Sequence, residues 1–305
     1  MKFHQLNAFL AAVETGSIRA AARKLNLSQA ALTKALRELE EDLGASLIQR
    51  SVRGVQLTEN GARLLVRARL ITQQAQLARS ELQQLHGADE GTVTIGVSPL
   101  VALTALPLAV AEFRRTYTKV RLHVVEGLEG IILPGVRQGT LDFGIMIVAG
   151  GQLGEDLLLD PWFSAPNAVV LREGHPLAQA RSLHELARLE WLATSFGTHG
   201  LGTRVEKIFA QAGLPPPERL MRCESVIVAF AIIRHTDVVS LIPAPLLDCP
   251  ETMGIRAVAM DMRPPMSDFN LITRADVPLS PVAAAFAACL KEKTLQCFQP
   301  SLGLA

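Results

Sequence analysis

Five side chains between residues 29 and 37 have the chemistry that reads base-pair edges: Gln29, Ala30, Thr33, Lys34 and Arg37. Glutamine can form a bidentate pair with adenine, and lysine or arginine can reach guanine or phosphate. Alanine and the threonine methyl group can contact the methyl group of thymine. If one helix presents them on one face, they form a candidate surface for reading double-stranded DNA.

The charges around this cluster are segregated along the chain. Residues 15–37 include five cations and no Asp or Glu, and residues 38–42 then include four acidic side chains. A basic block that ends so abruptly indicates a face turned toward a polyanion. A solvated helix surface would explain the charge pattern equally well. The net charge of +1 over 305 residues does not decide between them.

Three short helices are predicted to position the cluster. The first has an apolar stripe at helical spacing, formed by Leu6, Phe9, Leu10 and Val13. Gly16 ends it, and Ser17 can cap a second helix with the stripe Ile18, Ala21, Ala22 and Leu25. After a tight turn, Ser28 can cap a third helix, whose apolar arc is Leu32, Leu36, Leu39 and Leu43. The cluster lies on another sector of this third helix, which predicts a helix-turn-helix.

Residues 47–57 are predicted to form two short strands around a turn at 51–54. Such a hairpin resembles a wing, with Arg53 at its tip and Arg50 nearby. Both arginines would reach a phosphate or the minor groove. We therefore expect Ser28, Arg50 and Arg53 to bind DNA together with the five-residue cluster.

The N-terminal sequence resembles that of LysR-type transcriptional regulators. The resemblance is carried by residues 9–17, 20–22, 25, 27–40, 43–44, 47–50 and 55–61. Ala30 stands where the family usually has Pro at the first helical position, and Thr33 stands where it usually has Ser. The resemblance implies a DNA-binding transcriptional regulator with a winged helix-turn-helix. The first residues do not resemble a signal peptide, so the protein is expected to act in the cytoplasm. RNA polymerase is a further candidate partner.

A long helix is predicted from Thr58 to Leu85. Its apolar residues step alternately by four and three positions: Leu64, Ala68, Ile71, Ala75, Ala78, Leu82 and Leu85. This heptad seam is typical of a two-stranded coiled coil about 40 Å long. A core helix packed on its own domain is the alternative, and it would usually show a broader apolar stripe. A homodimer would carry two reading heads and recognise a dyad-symmetric site, and the family resemblance implies a homotetramer.

The remainder alternates strands with helices, beginning with a strand at 92–97, a helix at 103–117, a strand at 120–125, a helix at 131–138 and a strand at 141–147. This order predicts a parallel sheet with helices on both faces. A second set begins near residue 167, so we expect a two-lobed α/β sensor of the periplasmic-binding-protein type. The looser family resemblance here rests on residues 106–107, 113, 139, 141–142, 175–178 and 241–243.

The fold class predicted is thus α/β with an N-terminal all-α winged helix-turn-helix and a long dimerisation helix. The predicted boundaries are 1–58 for the DNA-binding domain, 59–86 for the linker helix and 87–91 for a hinge. The effector-binding domain is predicted over 92–305. Its lobe I comprises 92–162 and 269–302, and its lobe II comprises 163–268.

Ligands of open α/β sheets bind beyond the carboxyl ends of the strands. Three segments qualify, and their candidate effector-binding residues are Ser98, Pro99, Thr104, Leu128, Glu129, Phe196, Thr198 and His199. Hydroxyls and free backbone N–H groups at helix starts favour an anion such as a carboxylate or sulfonate, and His199 could add charge. The alternative is that these are ordinary capping and turn residues.

Other classes of protein fit the sequence less well. Ser98, His175 and His199 could be imagined as a catalytic triad, but the chain has no G-x-S-x-G elbow, P-loop or G-x-G-x-x-G motif. A solute-binding transport protein would need an export signal, and the N-terminus does not resemble one. No apolar stretch approaches the roughly 20 residues of a membrane span. The four cysteines lack metal-ligand spacing, so we expect packed thiols, with a redox switch as the alternative.

Overall fold

The computed structural model describes residues 1–51, 54–85, 91–148, 153–194 and 204–298. The chain divides into two compact units, one formed by residues 1–88 with the short segment 138–140, and the other by the rest. The N-terminal unit contains α1 (Phe3–Thr15), α2 (Ile18–Lys24), α3 (Gln29–Leu43), β1 (Ile48–Ser51), β2 (Gly54–Leu57) and α4 (Glu59–Leu85). The predicted winged helix-turn-helix is confirmed.

Local capping chemistry sets the boundaries of these helices. The Ser17 hydroxyl accepts a hydrogen bond from the Ala20 N–H, and the Ser28 hydroxyl accepts one from the Ala31 N–H. Asn26 takes the left-handed backbone conformation, with φ of 54°, in the turn between α2 and α3. The first residue of α3 is Gln29, so Ala30 stands at the second helical position and not at the first.

The β1–β2 hairpin is held against the helices by backbone contacts. The Val55 N–H donates to the Gly16 carbonyl at 2.9 Å. One carboxylate oxygen of Glu40 accepts from the N–H groups of Leu47 and Ile48, at 2.7 and 3.2 Å. These bonds fix the base of the wing to α3 and to the α1–α2 turn.

The seam of α4 is divided between two environments. Leu64 and Ala68 pack into the helix-turn-helix core, and Ala68 is fully buried. Further along, Ile71 is 39% exposed and Leu82 is 61% exposed. The prediction of one continuous dimer seam from Leu64 is therefore wrong for its first turn, which completes the core of its own unit instead.

The C-terminal unit contains two five-stranded sheets and their helices. In chain order its elements are β3 (Thr92–Val97), α5 (Pro99–Leu103), α6 (Ala105–Thr116), β4 (Arg121–Glu126), α7 (Glu129–Arg137), β5 (Phe143–Ile147), β6 (Leu157–Ala165), β7 (Asn167–Arg172), α8 (Leu183–Leu186), β8 (Trp191–Ala193), α9 (Arg204–Gln211), β9 (Leu220–Arg222), α10 (Val226–His235), β10 (Val239–Pro243), β11 (Ile255–Ala257), β12 (Ser267–Arg274) and α11 (Pro281–Phe298). Short 3-10 helices span Ala244–Asp248 and Pro250–Thr252.

The first sheet has the order β4-β3-β5-β12-β6, and the second has the order β11-β7-β10-β8-β9. β3, β4 and β5 are parallel as predicted, but β12 is inserted between β5 and β6 and pairs antiparallel with both. The predicted helix at 103–117 corresponds to α6, and the short helix α5 that precedes it was not predicted. The chain crosses from the first sheet to the second after β6 and returns to the first sheet before β12. β7 and β12 therefore each begin next to a connection between the two sheets.

Candidate functional site

The α3 surface separates into a polar and an apolar sector. Ser28, Gln29, Ala30, Lys34 and Arg37 are exposed, and Thr33 is half-buried. The opposite sector is buried in the core through Leu32, Ala35, Leu36 and Leu39. Leu43, predicted to complete the apolar arc, is instead 40% exposed at the last helical residue. The five candidate base-reading side chains therefore share one accessible surface of α3.

Both cations of this surface form ion pairs with glutamates one helical turn further along α3. The Lys34 Nζ lies 3.8 Å from a carboxylate oxygen of Glu38, and the Arg37 Nε lies 2.7 Å from one of Glu41. The Lys34 and Arg37 side chains are 78% and 80% exposed. Exposed pairs of this type contribute at most about 1 kcal/mol. A DNA phosphate can therefore compete with either glutamate for its cation.

The predicted wing residues are only partly described. Arg50 lies in β1, where its backbone pairs with Val55. Its side chain and the whole of Arg53 lie outside the described residues. Their contacts with DNA stay a prediction.

Two of the predicted effector segments meet at the carboxyl ends of β3 and β4. The Ser98 N–H donates to the Ile145 carbonyl at 2.8 Å, and the Gly127 N–H donates to the Val97 carbonyl at 3.1 Å. Leu128 packs partly buried against the core, and Glu129 begins α7. Pro99, also buried, begins α5 directly after Ser98.

Ser98 has a buried hydroxyl group whose hydrogen-bonding capacity is unused. The residue is 4% exposed, and its Oγ has no hydrogen-bond partner among the described residues. A buried hydroxyl without a partner costs free energy that a hydrogen bond would recover. The Ser98 Oγ is therefore a candidate ligand contact.

Thr104 is placed differently from the expectation. It stands at the junction of α5 and α6, and its hydroxyl donates to the Leu100 carbonyl at 2.5 Å. Because that proton is already engaged, Thr104 does not offer the free donor that the prediction required. Phe196, Thr198 and His199 lie outside the described residues.

Arg204, the first residue of α9, was missed by the sequence reasoning. Its Nη1 donates to the Ser267 hydroxyl at 3.1 Å, which in turn donates to the Asn167 side-chain oxygen at 3.0 Å. Its Nε is buried without a partner among the described residues. Burial lowers the pKa of Arg204 to about 10. The only signal that the sequence offered was a basic residue shortly after the candidate effector residues Thr198 and His199.

All four cysteines are free thiols. Cys249 is buried as expected of a packed thiol, Cys223 and Cys289 are half-buried, and the expectation is wrong for Cys297, which is exposed. Burial raises the pKa of the thiols of Cys249, Cys289 and Cys297 above the ordinary value. Within the described ranges, no group of three or more His, Cys, Asp or Glu side chains could hold a metal ion. None of the helices in those ranges combines the length and apolarity needed to cross a membrane.

Two families match the chain in succession. The family described as "Bacterial regulatory helix-turn-helix protein, lysR family" matches residues 3–62. The family described as "LysR substrate binding domain" matches residues 86–295. The two matches together span both units.

Relatives and solved structures agree with these matches. The chain is 28% identical to the HTH-type transcriptional regulator GbpR of Azospirillum brasilense, over 95% of this chain and 86% of the relative. It is 26% identical to the SDS degradation transcriptional activation protein of a Pseudomonas species, over 95% of each chain. The structure of full-length CbnR complexed with its target DNA has a TM-score of 0.69 at 22% identity, over 96% of this chain and 100% of CbnR. The last likeness concerns the fold.

Proposed function

The chain belongs to the LysR family of DNA-binding transcriptional regulators, and we propose that a small anionic effector, held between its two α/β lobes, controls its binding to DNA. The family consists of regulators and not of enzymes, and its substrate-binding domain takes small-molecule effectors. The alternatives of a hydrolase and of a transport protein are therefore set aside. Because its target is DNA, the proposal places the protein in the cytoplasm.

The DNA-reading residues in this proposal are those of the exposed α3 surface with the two wing arginines. They are Ser28, Gln29, Ala30, Thr33, Lys34, Arg37, Arg50 and Arg53. The exposure of the α3 members and the cationic character of Lys34 and Arg37 support this assignment. Base contacts from the helix would specify the sequence, and phosphate contacts would position the head.

The exposed part of α4 supports dimerisation. Ile71, Ala78 and Leu82 continue the heptad seam beyond the turn that the core occupies, and all three are exposed in the single chain. A second copy of α4 would bury them. Two paired reading heads would then recognise a dyad-symmetric site. A tetramer of such dimers and contact with RNA polymerase belong to the same proposal.

The observation that carries the effector proposal is the buried Ser98 hydroxyl at the carboxyl end of β3, which has no partner in the part of the chain that the structure describes. It can donate to a ligand oxygen beside the loop of Leu128 and Glu129. A hydrogen bond to a charged group contributes about 1.5–3 kcal/mol. The ligand would alter the angle between the lobes and thereby the spacing or bending of the DNA site.

The test begins with footprints on the upstream region of the protein's own gene, with and without a panel of carboxylates, sulfonates and alkyl sulfates. Alkyl sulfates are included because one relative is named for SDS degradation. For an acid that alters the footprint, titration calorimetry of Ser98→Ala should show at least about tenfold weaker binding. The unliganded Ser98→Ala protein should lose no stability, because the hydroxyl has no partner to lose among the described residues.

Ser280→Ala is the matched control. Ser280 is also 4% exposed, but its hydroxyl accepts from the Ala283 N–H at 3.2 Å as a cap of α11. Its loss should lower stability by about 1 kcal/mol and leave the ligand affinity unchanged. Equal ligand affinity in wild type and Ser98→Ala would refute the assignment of Ser98, and a footprint indifferent to every acid would refute an anionic effector.

A further inference from the structure

Arg204 is a half-buried arginine whose Nε is fully buried, and no carboxylate of the described residues balances its charge. It takes part in no ion pair with them, and its Nε is buried without a hydrogen-bond partner there. Leaving a buried cation without a counter-charge is costly, and proteins retain such a group only where something else compensates it. The arrangement therefore points to a negatively charged group supplied from outside the described chain.

The guanidinium is held in place by a chain of hydrogen bonds. Nη1 donates to the Ser267 hydroxyl, Ser267 donates to the Asn167 side-chain oxygen, and the Asn167 amide donates to the Pro265 carbonyl. Ser267 and Asn167 are 1% and 5% exposed. Because one end of the guanidinium is fixed in this way, its orientation is set before any ligand arrives.

The remaining edge of the Arg204 guanidinium has the geometry needed to bind an oxyanion. With Nη1 committed to Ser267, Nε and Nη2 form the remaining edge of the planar group, and the Nε of this edge is buried without a partner among the described residues. Two parallel N–H groups at this spacing match the two oxygens of a carboxylate, or two oxygens of a sulfonate or sulfate. A lysine at this position would provide only a point charge.

We infer that Arg204 is the oxyanion-binding residue of the effector site, and that Ser267 and Asn167 are its positioning residues. The inference rests on the proposed effector function and specifies its chemistry. The ligand carries one carboxylate, sulfonate or sulfate group that pairs side-on with the Nε–Nη2 edge. Its charge neutralises the buried guanidinium. The inference differs from the sequence prediction, which placed the anion on hydroxyls and on His199.

The test uses the full chain, with thermal unfolding measured against increasing sodium benzoate or sodium sulfate and against sodium chloride at matched ionic strength. Wild type should show a saturable rise in midpoint with at least one oxyanion. A linear rise alone is the general effect of an excluded salt. Arg204→Met should abolish the saturable part, and Arg204→Lys should weaken the apparent affinity at least tenfold.

The control variant is Arg256→Met, which removes an exposed arginine of the second sheet that pairs with Glu173 at 3.1 Å. It should keep the saturable response. Without ligand, Arg204→Met should unfold at the wild-type temperature or above, because it removes an unbalanced buried charge. A purely structural arginine would instead give a lower midpoint without any anion, and that result would overturn the inference.

The outcomes separate this inference from the proposal on which it rests. A saturable response that survives in Arg204→Met but is lost in Ser98→Ala would overturn the role of Arg204 and leave the anionic effector standing. No saturable response to either oxyanion in wild type would overturn the oxyanion subsite. Footprints with the acid panel would then decide separately whether any anion controls DNA binding.

Discussion

Removing the Arg37 charge should reduce the salt dependence of DNA binding by a predictable amount. The side chain is 80% exposed on the polar sector of α3, and its only ion-pair partner among the described residues is Glu41. A phosphate contact contributes a slope of about −0.9 in log affinity against log salt. A dimer carries two such contacts, so Arg37→Ala should lower the magnitude of the slope by about 1.8.

The same arithmetic gives a directly measurable ratio. Between about 50 and 200 mM salt each phosphate contact accounts for about a 3.5-fold loss of affinity, so two contacts account for about twelvefold. Fluorescence anisotropy with the footprinted duplex at four salt concentrations would measure it. Wild type should therefore lose about twelve times more affinity than Arg37→Ala over this range.

Two further variants sharpen the experiment. Glu41→Gln removes the exposed ion pair of Arg37, which is worth about 0.3–0.5 kcal/mol. A dimer has two such pairs, so its affinity for DNA should rise about three- to fivefold. Arg256→Ala, which removes an exposed ion-paired arginine of the second sheet, should keep the wild-type slope. If Arg37→Ala also kept that slope, Arg37 would not contact phosphate, and the assignment of this face of α3 to DNA would fail.

Three other predictions concern the dimer, the packing of α4 against Leu47, and the thiols. Leu82→Glu places a charge on the exposed seam and should give a monomer in sedimentation velocity, whereas Gln74→Glu, off the seam, should remain a dimer. Gly61→Ala should lower the free energy of unfolding by about 1–3 kcal/mol in denaturant titration, because its Cβ would lie 1.9 Å from the Leu47 carbonyl oxygen, whereas Gly130→Ala meets nothing within 4 Å and should be neutral. Because burial raises the pKa of Cys249, Cys289 and Cys297, little thiolate forms at neutral pH, and footprints should be unchanged by millimolar peroxide; a peroxide response lost in Cys297→Ser would contradict this.

The fold of the N-terminal unit was predictable because the residues that begin and end its helices are adjacent to those helices in sequence. Ser17 and Ser28 cap helices whose first turns follow them directly, and Gly16 takes the left-handed conformation that ends α1. The division of the α4 seam was not predictable, because the heptad spacing is the same whether Ala68 meets a second copy or its own core. Only the tertiary packing distinguishes the two environments.

The C-terminal unit was predictable where strands and helices alternate along the chain. β6 and β12 escaped prediction because their pairing joins residues about a hundred positions apart, such as Ala165 and Ser267. The effector site shows the same limit. Ser98 was found from its place after a strand. The burial of the Arg204 Nε without a partner among the described residues depends on tertiary packing, which residue type and spacing do not indicate.

The position of Arg204 suggests how a bound charge acts on the lobes. Its hydrogen-bond chain ends on Ser267 and Asn167, which begin β12 and β7 directly beside the two connections between the sheets. Under this proposal a ligand bound to the guanidinium would act on both connections at once, and a small shift there would change the angle between the lobes. Coupling of about 1–3 kcal/mol would change DNA affinity roughly 5- to 150-fold. Because linkage is reciprocal, the cognate DNA should change the affinity for the anion by the same factor.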